Sequence, residues 1–333
     1  MSFLLKPLQA GALALENRLV MPPMATAKAD QDGRITKDIL DYYDEKTHGG
    51  YISLVVIEHS YVGVEGKAHR NQLSAASDEL VPAMSTLADI IHRNGSKAVM
   101  QINHAGSNTS GDILGTTPVG PSAVPHPRSG TTPRELTDNE ISGIVDAFGN
   151  AARRAKAAGF DGVEIHSAHG YLLSQFFSPL TNKRSGKYGG SVLKRLGLHL
   201  EIIEAVRSAT GSEFPVLLRL GASDFMEGGI TVEDSLIAAK EFEKAGISIL
   251  DISGGFSGYA VPGLTGQGYF SPLTEAIKKA VPIPVILTGG ITEAQAAEEL
   301  LAGGKADLIG VGRAILKDSS WAEHAVISLQ SRL

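Results

Sequence analysis

Eight short runs rich in apolar and β-branched residues recur along the chain, and a segment of helical character follows most of them. The runs are 18–21, 52–58, 98–103, 162–166, 216–220, 249–253, 285–288 and 308–311. Several are nearly continuous in apolar side chains rather than alternating, as expected of strands buried on both faces of a parallel sheet. Helices are expected over 37–48, 78–93, 137–158, 193–209, 232–245, 272–280 and 293–302. Thr36 is a candidate N-cap, and Thr137 and Glu140 have the spacing of a capping box. Four helices run into Ala-Gly or a near equivalent just before the next strand, where glycine ends helices. Repeated βα units predict an α/β fold, a (β/α)8 TIM barrel, as a single domain over residues 1–333. A doubly wound sheet is the alternative, but no early G-x-G-x-x-G opens a helix. The long irregular stretch 105–134, rich in Gly, Ser, Thr and Pro, predicts a capping lid. It follows the third strand and so belongs over the barrel's C-terminal mouth, where such barrels do their chemistry.

Composition narrows the function. Thirty Lys and Arg against 36 Asp and Glu give a net charge of −6, which argues against a nucleic-acid surface. Cysteine is absent, so a disulfide, a thiolate nucleophile, Cys-ligated zinc and an iron–sulfur cluster are excluded in this chain. The first twenty residues are apolar but broken by Lys6, Pro7 and Glu16, so neither a secretory leader nor a membrane span is expected. A cytoplasmic protein is the expectation.

In a barrel of this kind, polar residues at strand C-termini are site candidates. They are Met24 to Thr26, Glu58, His59, Gln101, Asn103, His104, His166, His169, Arg219, Ser253 to Gly255, Gly289, Gly290, Gly312 and Arg313. The TGG after the seventh run and the GVGR after the eighth stand at the usual phosphate site of these barrels. Gly290 and Gly312 let backbone amides approach an anion, and Arg313 adds a charge. His166 and His169 stand three apart with Tyr171 two further on, a set that could bind a metal or donate to an oxygen. No third and fourth ligand and no H-E-x-x-H accompany them, so no metal is expected. Arg219 on a buried strand needs an anion, either a ligand's or that of Glu164 or Asp251. Gln101 offers a donor and an acceptor together, which suits a heterocycle edge.

The segments NRLVMPPM, QINHAG, FDGVEIHSAHGYLLSQFFSPLTNKRSGKYGGS with Arg195 after it, LLRL and ADLIGVGR span most of the chain. In that order they resemble the old yellow enzyme family of flavin-dependent ene-reductases, in the branch with bacterial NADH:flavin oxidoreductases. The resemblance implies FMN at the barrel mouth. Pro23, Met24 and Ala25 would line the ring, with His59 beside it. Gln101 would bond the pyrimidine edge, Arg219 would face N1 and O2, and Gly290, Gly312 and Arg313 would hold the phosphate. His166 and His169 would bind the substrate's activating oxygen, and Tyr171 would donate the proton. It further implies a ping-pong reaction in which NADH or NADPH reduces FMN and an electron-poor alkene then takes the hydride. Three positions depart from the family's habit: Ala25 where Thr or Cys is common, Ala27 where near relatives have a pocket-lining Tyr, and His59 where a small residue is usual. Larger relatives carry an iron–sulfur cluster and further domains, and this chain is expected to stand apart from them. An NADH oxidase or flavin reductase using oxygen or another acceptor is an alternative, as is a flavin-free phosphate-binding isomerase or aldolase. A non-catalytic flavin carrier is a third. The oligomeric state is open, and some relatives complete a neighbour's site with an Arg near the C-terminus, the place of Arg332 here.

Overall fold

The computed structural model describes residues 2–331, so Arg332 lies outside the described residues. Eight parallel strands close into a barrel in chain order. They are β1 (Leu19–Met21), β2 (Leu54–Tyr61), β3 (Lys97–Asn103), β4 (Gly162–Ser167), β5 (Val216–Gly221), β6 (Ile249–Ser253), β7 (Val285–Thr288) and β8 (Leu308–Gly310). The last strand pairs with the first through Ile309 and Leu19, so no sheet edge is left open. Seven helices alternate with the strands: α1 (Lys37–Thr47), α2 (Val81–Arg93), α3 (Asp138–Ala157), α4 (Gly197–Thr210), α5 (Val232–Lys244), α6 (Ser271–Ala280) and α7 (Ala294–Ala302). A final helix, α8 (Trp321–Gln330), follows a short turn of helix at Arg313–Lys317. This is the (β/α)8 barrel the sequence predicts.

Each local outcome has a physical cause. Thr137 caps α3 in a reciprocal box, its side chain accepting from the Glu140 amide while Glu140 accepts from the Thr137 amide. Thr231 and Asp234 repeat the device on α5. Thr36 makes no such bond; its hydroxyl donates to the Lys28 carbonyl and ties the strand-end loop to α1. The stretch expected as one helix over 193–209 is broken, with a short helix at Val192–Arg195 and α4 starting at Gly197. Arg195 causes the break by turning inward, its Nε donating to the Phe177 carbonyl and its Nη1 to that of Gly190. Where α3 crosses α4, a Cβ on Gly149 would come within 3.2 Å of the Ala205 carbonyl, so glycine eases that close approach.

The barrel interior is layered. A hairpin of Leu8–Ala10 and Leu13–Leu15, which the sequence did not announce, covers the N-terminal end. Ala10, Leu13 and Leu15 pack against inward residues of the strands, among them Val20, Leu54, Val56, Val99, Leu217, Ile249, Ile286 and Leu308. Side chains on one face of a strand recur every second residue, so the next inward positions toward the C-terminal end follow from this apolar floor. Most of those positions are polar: Glu58, Gln101, Arg219, Asp251 and Thr288.

Candidate active site

Two residues beyond Val99, Leu217 and Ile249 come Gln101, Arg219 and Asp251. Strand register sets Gln101 beside Glu164, and Arg219 between His166 and Asp251. All four of Gln101, Glu164, Arg219 and Asp251 are buried. Gln101 Nε2 donates to Glu164 Oε2 at 2.6 Å. Arg219 Nε lies 3.2 Å from Asp251 Oδ2 without the alignment of a hydrogen bond. The structure thus places an internal anion, Asp251, beside Arg219. One guanidinium faces two carboxyls, and burial pushes both upward; for Glu164 the charge of Asp251 adds to the effect. Glu164 Oε1, Asp251 Oδ1 and Asn103 Oδ1 have no partner among the described residues.

Above this layer, β4 delivers the histidines. His166 Nδ1 accepts from the Ala168 amide at 3.3 Å, which leaves the proton on Nε2. His169 sits at φ 59°, a left-handed conformation that turns its ring back over the strand end. Its amide donates to the Gly254 carbonyl, and its Nε2 pairs with Ser253 Oγ at 2.7 Å. The two rings stand 5.1 Å apart, and Tyr171 lies 5.0 Å from His166. Burial first, and then neighbouring positive groups, hold both histidines well below the usual imidazole range, so they are neutral. Burial pushes the Tyr171 hydroxyl up to about 12, so it carries its proton. His166 Nε2, His169 Nδ1 and the Tyr171 hydroxyl have no protein partner among the described residues, yet none is sealed in the core. Three expected site residues therefore meet as open polar groups.

His59 joins them. β2 runs on to Tyr61, past the expected end at 58, through a register shift between Ile57 and Ser60. Glu58 and His59 occupy that irregularity, and bulges re-aim side chains in this way. The Glu58 carboxyl turns to Thr26, accepting from its amide at 3.0 Å and its hydroxyl at 2.6 Å. Burial raises Glu58 to about 7. The Thr26 hydroxyl is thereby engaged by Glu58. Ala25 and Ala27 are exposed, while Pro23 and Met24 are half-buried. Ala27 adopts φ 53°. The His59 ring lies 5.3 Å from Tyr171 and 6.2 Å from His166.

After β7, Gly290 has φ 70°, and a Cβ there would fall 2.2 Å from the Gly266 carbonyl. After β8, a Cβ on Gly312 would meet Met24 Sδ at 3.2 Å. Arg313 is exposed, with Nη2 3.4 Å from the Tyr269 hydroxyl. Beside the mouth, 105–134 is less irregular than expected, with a helical turn at Gly111–Leu114 and paired strands at Val119–Gly120 and Arg134–Glu135. His126 Nε2 donates to the Gly170 carbonyl at 2.9 Å, and Gln175 Nε2 donates to both Ala105 and Gly170 carbonyls. The segment is thus fastened to the histidine turn.

Sequence reasoning missed the scaffold around these groups. Asp224 is fully buried and accepts from the Ser178 hydroxyl and the amides of Phe256 and Ile230, knotting three loops together. Asn182 donates to the carbonyls of Phe176 and Tyr188. Much of the distinctive 160–191 block therefore builds the loop that presents Tyr171. No cluster of three His, Cys, Asp or Glu able to hold a metal is found among the described residues. No described helix is long and apolar enough to cross a membrane. Buried Arg219 and exposed Arg313 fit the negative charge of FMN, and the orphaned acceptor oxygens beneath the mouth fit N–H donors such as that of its ring.

Comparison with known proteins agrees. The chain is 43 % identical over 329 residues to an NADH oxidase of Thermoanaerobacter brockii, covering 97 % of this chain and 50 % of that protein. It is 36 % identical over 333 residues to an NADPH dehydrogenase of a Geobacillus strain, covering 98 % and 95 %. The chain spans about half the length of some curated relatives it matches, the NADH oxidase among them. Among solved structures it resembles a 2-naphthoyl-CoA reductase at TM-score 0.92 and 29 % identity, covering 98 % of this chain and 52 % of that one. It resembles an old yellow enzyme homologue from Zymomonas mobilis at TM-score 0.85 and 29 % identity, covering 98 % and 92 %. Residues 3–331 match the model of one family, and the chain belongs to it: the FMN-dependent NADH:flavin oxidoreductase / NADH oxidase family, that of the old yellow enzymes.

Proposed function

We propose that this chain is an NAD(P)H-dependent flavin oxidoreductase that reduces electron-poor alkenes, such as α,β-unsaturated carbonyl compounds. Bound FMN would supply the hydride chemistry, with the reduced nicotinamide as the source and the alkene's β-carbon as the destination. The single observation that carries this reading is the meeting of His166, His169 and Tyr171, neutral and each with one polar atom free of protein partners among the described residues, at ring separations of 5.0 and 5.1 Å. Two neutral imidazoles can hold one carbonyl oxygen and stabilise the charge that develops on it. Tyr171, still protonated at neutral pH, can give its proton to the α-carbon as general acid. Gln101 and Arg219 are the side chains we assign to the flavin ring, with Pro23, Met24, Ala25 and His59 alongside. Gly290, Gly312 and Arg313 are assigned to its phosphate, and Ala27 to the substrate pocket.

The test is the visible spectrum of the purified protein, with identification of the chromophore released on denaturation, followed by anaerobic NAD(P)H oxidation with 2-cyclohexenone. Bound FMN and turnover support the reading. A protein that neither carries nor takes up FMN contradicts it. The name of the Thermoanaerobacter brockii relative favours a second reading, in which oxygen is the acceptor. NADH consumption in air that an enone does not accelerate would support that reading instead.

A further inference from the structure

His59 is held in one tautomer. Gln72 Oε1 accepts from the Ala68 amide at 2.6 Å, and this fixes which end of the Gln72 side chain is the NH2. Gln72 Nε2 therefore donates to His59 Nδ1, at 2.9 Å. Asn103 Nδ2 approaches the same nitrogen at 3.2 Å. Nδ1 is thus an acceptor and the ring proton sits on Nε2. Burial, helped by His69 and Arg219, lowers His59 to about 3, so the ring is neutral. Nε2 has no partner among the described residues and is not sealed in the core.

The ring separations give the arrangement. His166 and Tyr171 stand together; His169 lies 5.1 Å from His166, and His59 lies 5.3 Å from Tyr171 and 6.2 Å from His166. Two neutral imidazoles thus flank Tyr171, and the third, His169, stands against His166. An unpaired N–H that no protein group satisfies is costly to cover with an apolar ligand and favourable to cover with an oxygen. The two amides and the bulge that aim His59 are an extended support for one open donor.

We propose that His59 donates from Nε2 to a second oxygen of the ligand whose first oxygen is held by His166 and His169, so that the pocket favours conjugated ligands bearing two acceptor oxygens, such as ene-diones and quinones, over simple enones. This rests on the histidine-pair reading above and adds a specificity residue to it.

The experiment titrates the FMN-loaded protein with phenol and with hydroquinone, read by perturbation of the flavin absorbance, in wild type, His59→Phe and His59→Gln. Wild type is expected to bind hydroquinone about tenfold more tightly than phenol. His59→Phe keeps an aromatic ring and loses the donor, and is expected to abolish at least about fivefold of that difference. His59→Gln, which retains an N–H, restores part of the difference. A difference that survives in His59→Phe overturns the proposal. Loss of FMN affinity in His59→Phe, with both ligands weakened alike, also overturns it and leaves His59 with the flavin alone. If phenol fails to bind wild type at all, the histidine-pair reading falls and the proposal with it, an outcome distinct from the other two.

Discussion

Gln101 and Glu164 stand side by side on β3 and β4, and the 2.6 Å bond between them is the one hydrogen bond the Glu164 carboxyl makes among the described residues. Burial and nearby Asp251 make the folded protein hold the Glu164 proton more tightly than the unfolded chain does. The sign follows from linkage: stability is fully present below the ordinary carboxyl range near pH 4.3 and declines as pH rises through neutrality. Glu164→Gln removes that titration while keeping the shape. Melting temperature between pH 5 and pH 8 should fall more in wild type than in Glu164→Gln, by about 2 °C or more. Parallel pH profiles would refute this.

Replacing His166 and His169 together by alanine should weaken phenolic or enone ligands by roughly 30-fold or more, since two donors to one oxygen are lost. FMN should remain bound, because these rings are assigned to the substrate's oxygen and Gln101, Arg219 and the β7–β8 glycines to the flavin. Ligand affinity that does not change removes the pair from the substrate site.

Tyr171→Phe should slow alkene reduction by about 10²-fold or more, the usual range for losing a general acid. Flavin reduction by NAD(P)H requires no such proton and should keep its rate. Stopped-flow measurement of the two half-reactions decides: equal slowing of both contradicts the proton-donor role.

Gly290→Ala should cost FMN affinity by about tenfold or more. At φ 70° alanine is strained, and its Cβ would press on the Gly266 carbonyl. Isothermal titration of the apoprotein with FMN reads the effect, and wild-type affinity would show that the cradle is elsewhere.

Leu13→Ala should destabilise the fold by about 2–5 kcal/mol, the range for emptying a packed leucine site. Leu13 is buried in the apolar floor of the barrel. Denaturant unfolding gives the value, and a loss under about 1 kcal/mol would mean that the hairpin packs loosely.

The barrel was legible because its strands are short continuous runs of branched apolar residues between glycine-ended helices. The α3 start was legible because both halves of its capping box lie within four residues. The hairpin escaped because three-residue strands carry too little pattern, and the break before α4 escaped because it is set by Arg195 reaching the distant Phe177 carbonyl. At the site, His166, His169 and Tyr171 were readable as neighbours in one turn. The same reading could list His59 but not orient it, since its partners Gln72 and Asn103 lie 13 and 44 positions away. Nor could it place Asp251 beside Arg219, because strand register does that.

The hairpin over the N-terminal end gives the barrel the form of a well closed at its base. Whatever binds among the polar groups at the top must enter and leave by that same rim. An electron donor and an electron acceptor that used the same His166, His169 and Tyr171 groups would therefore share one entrance as well as one site.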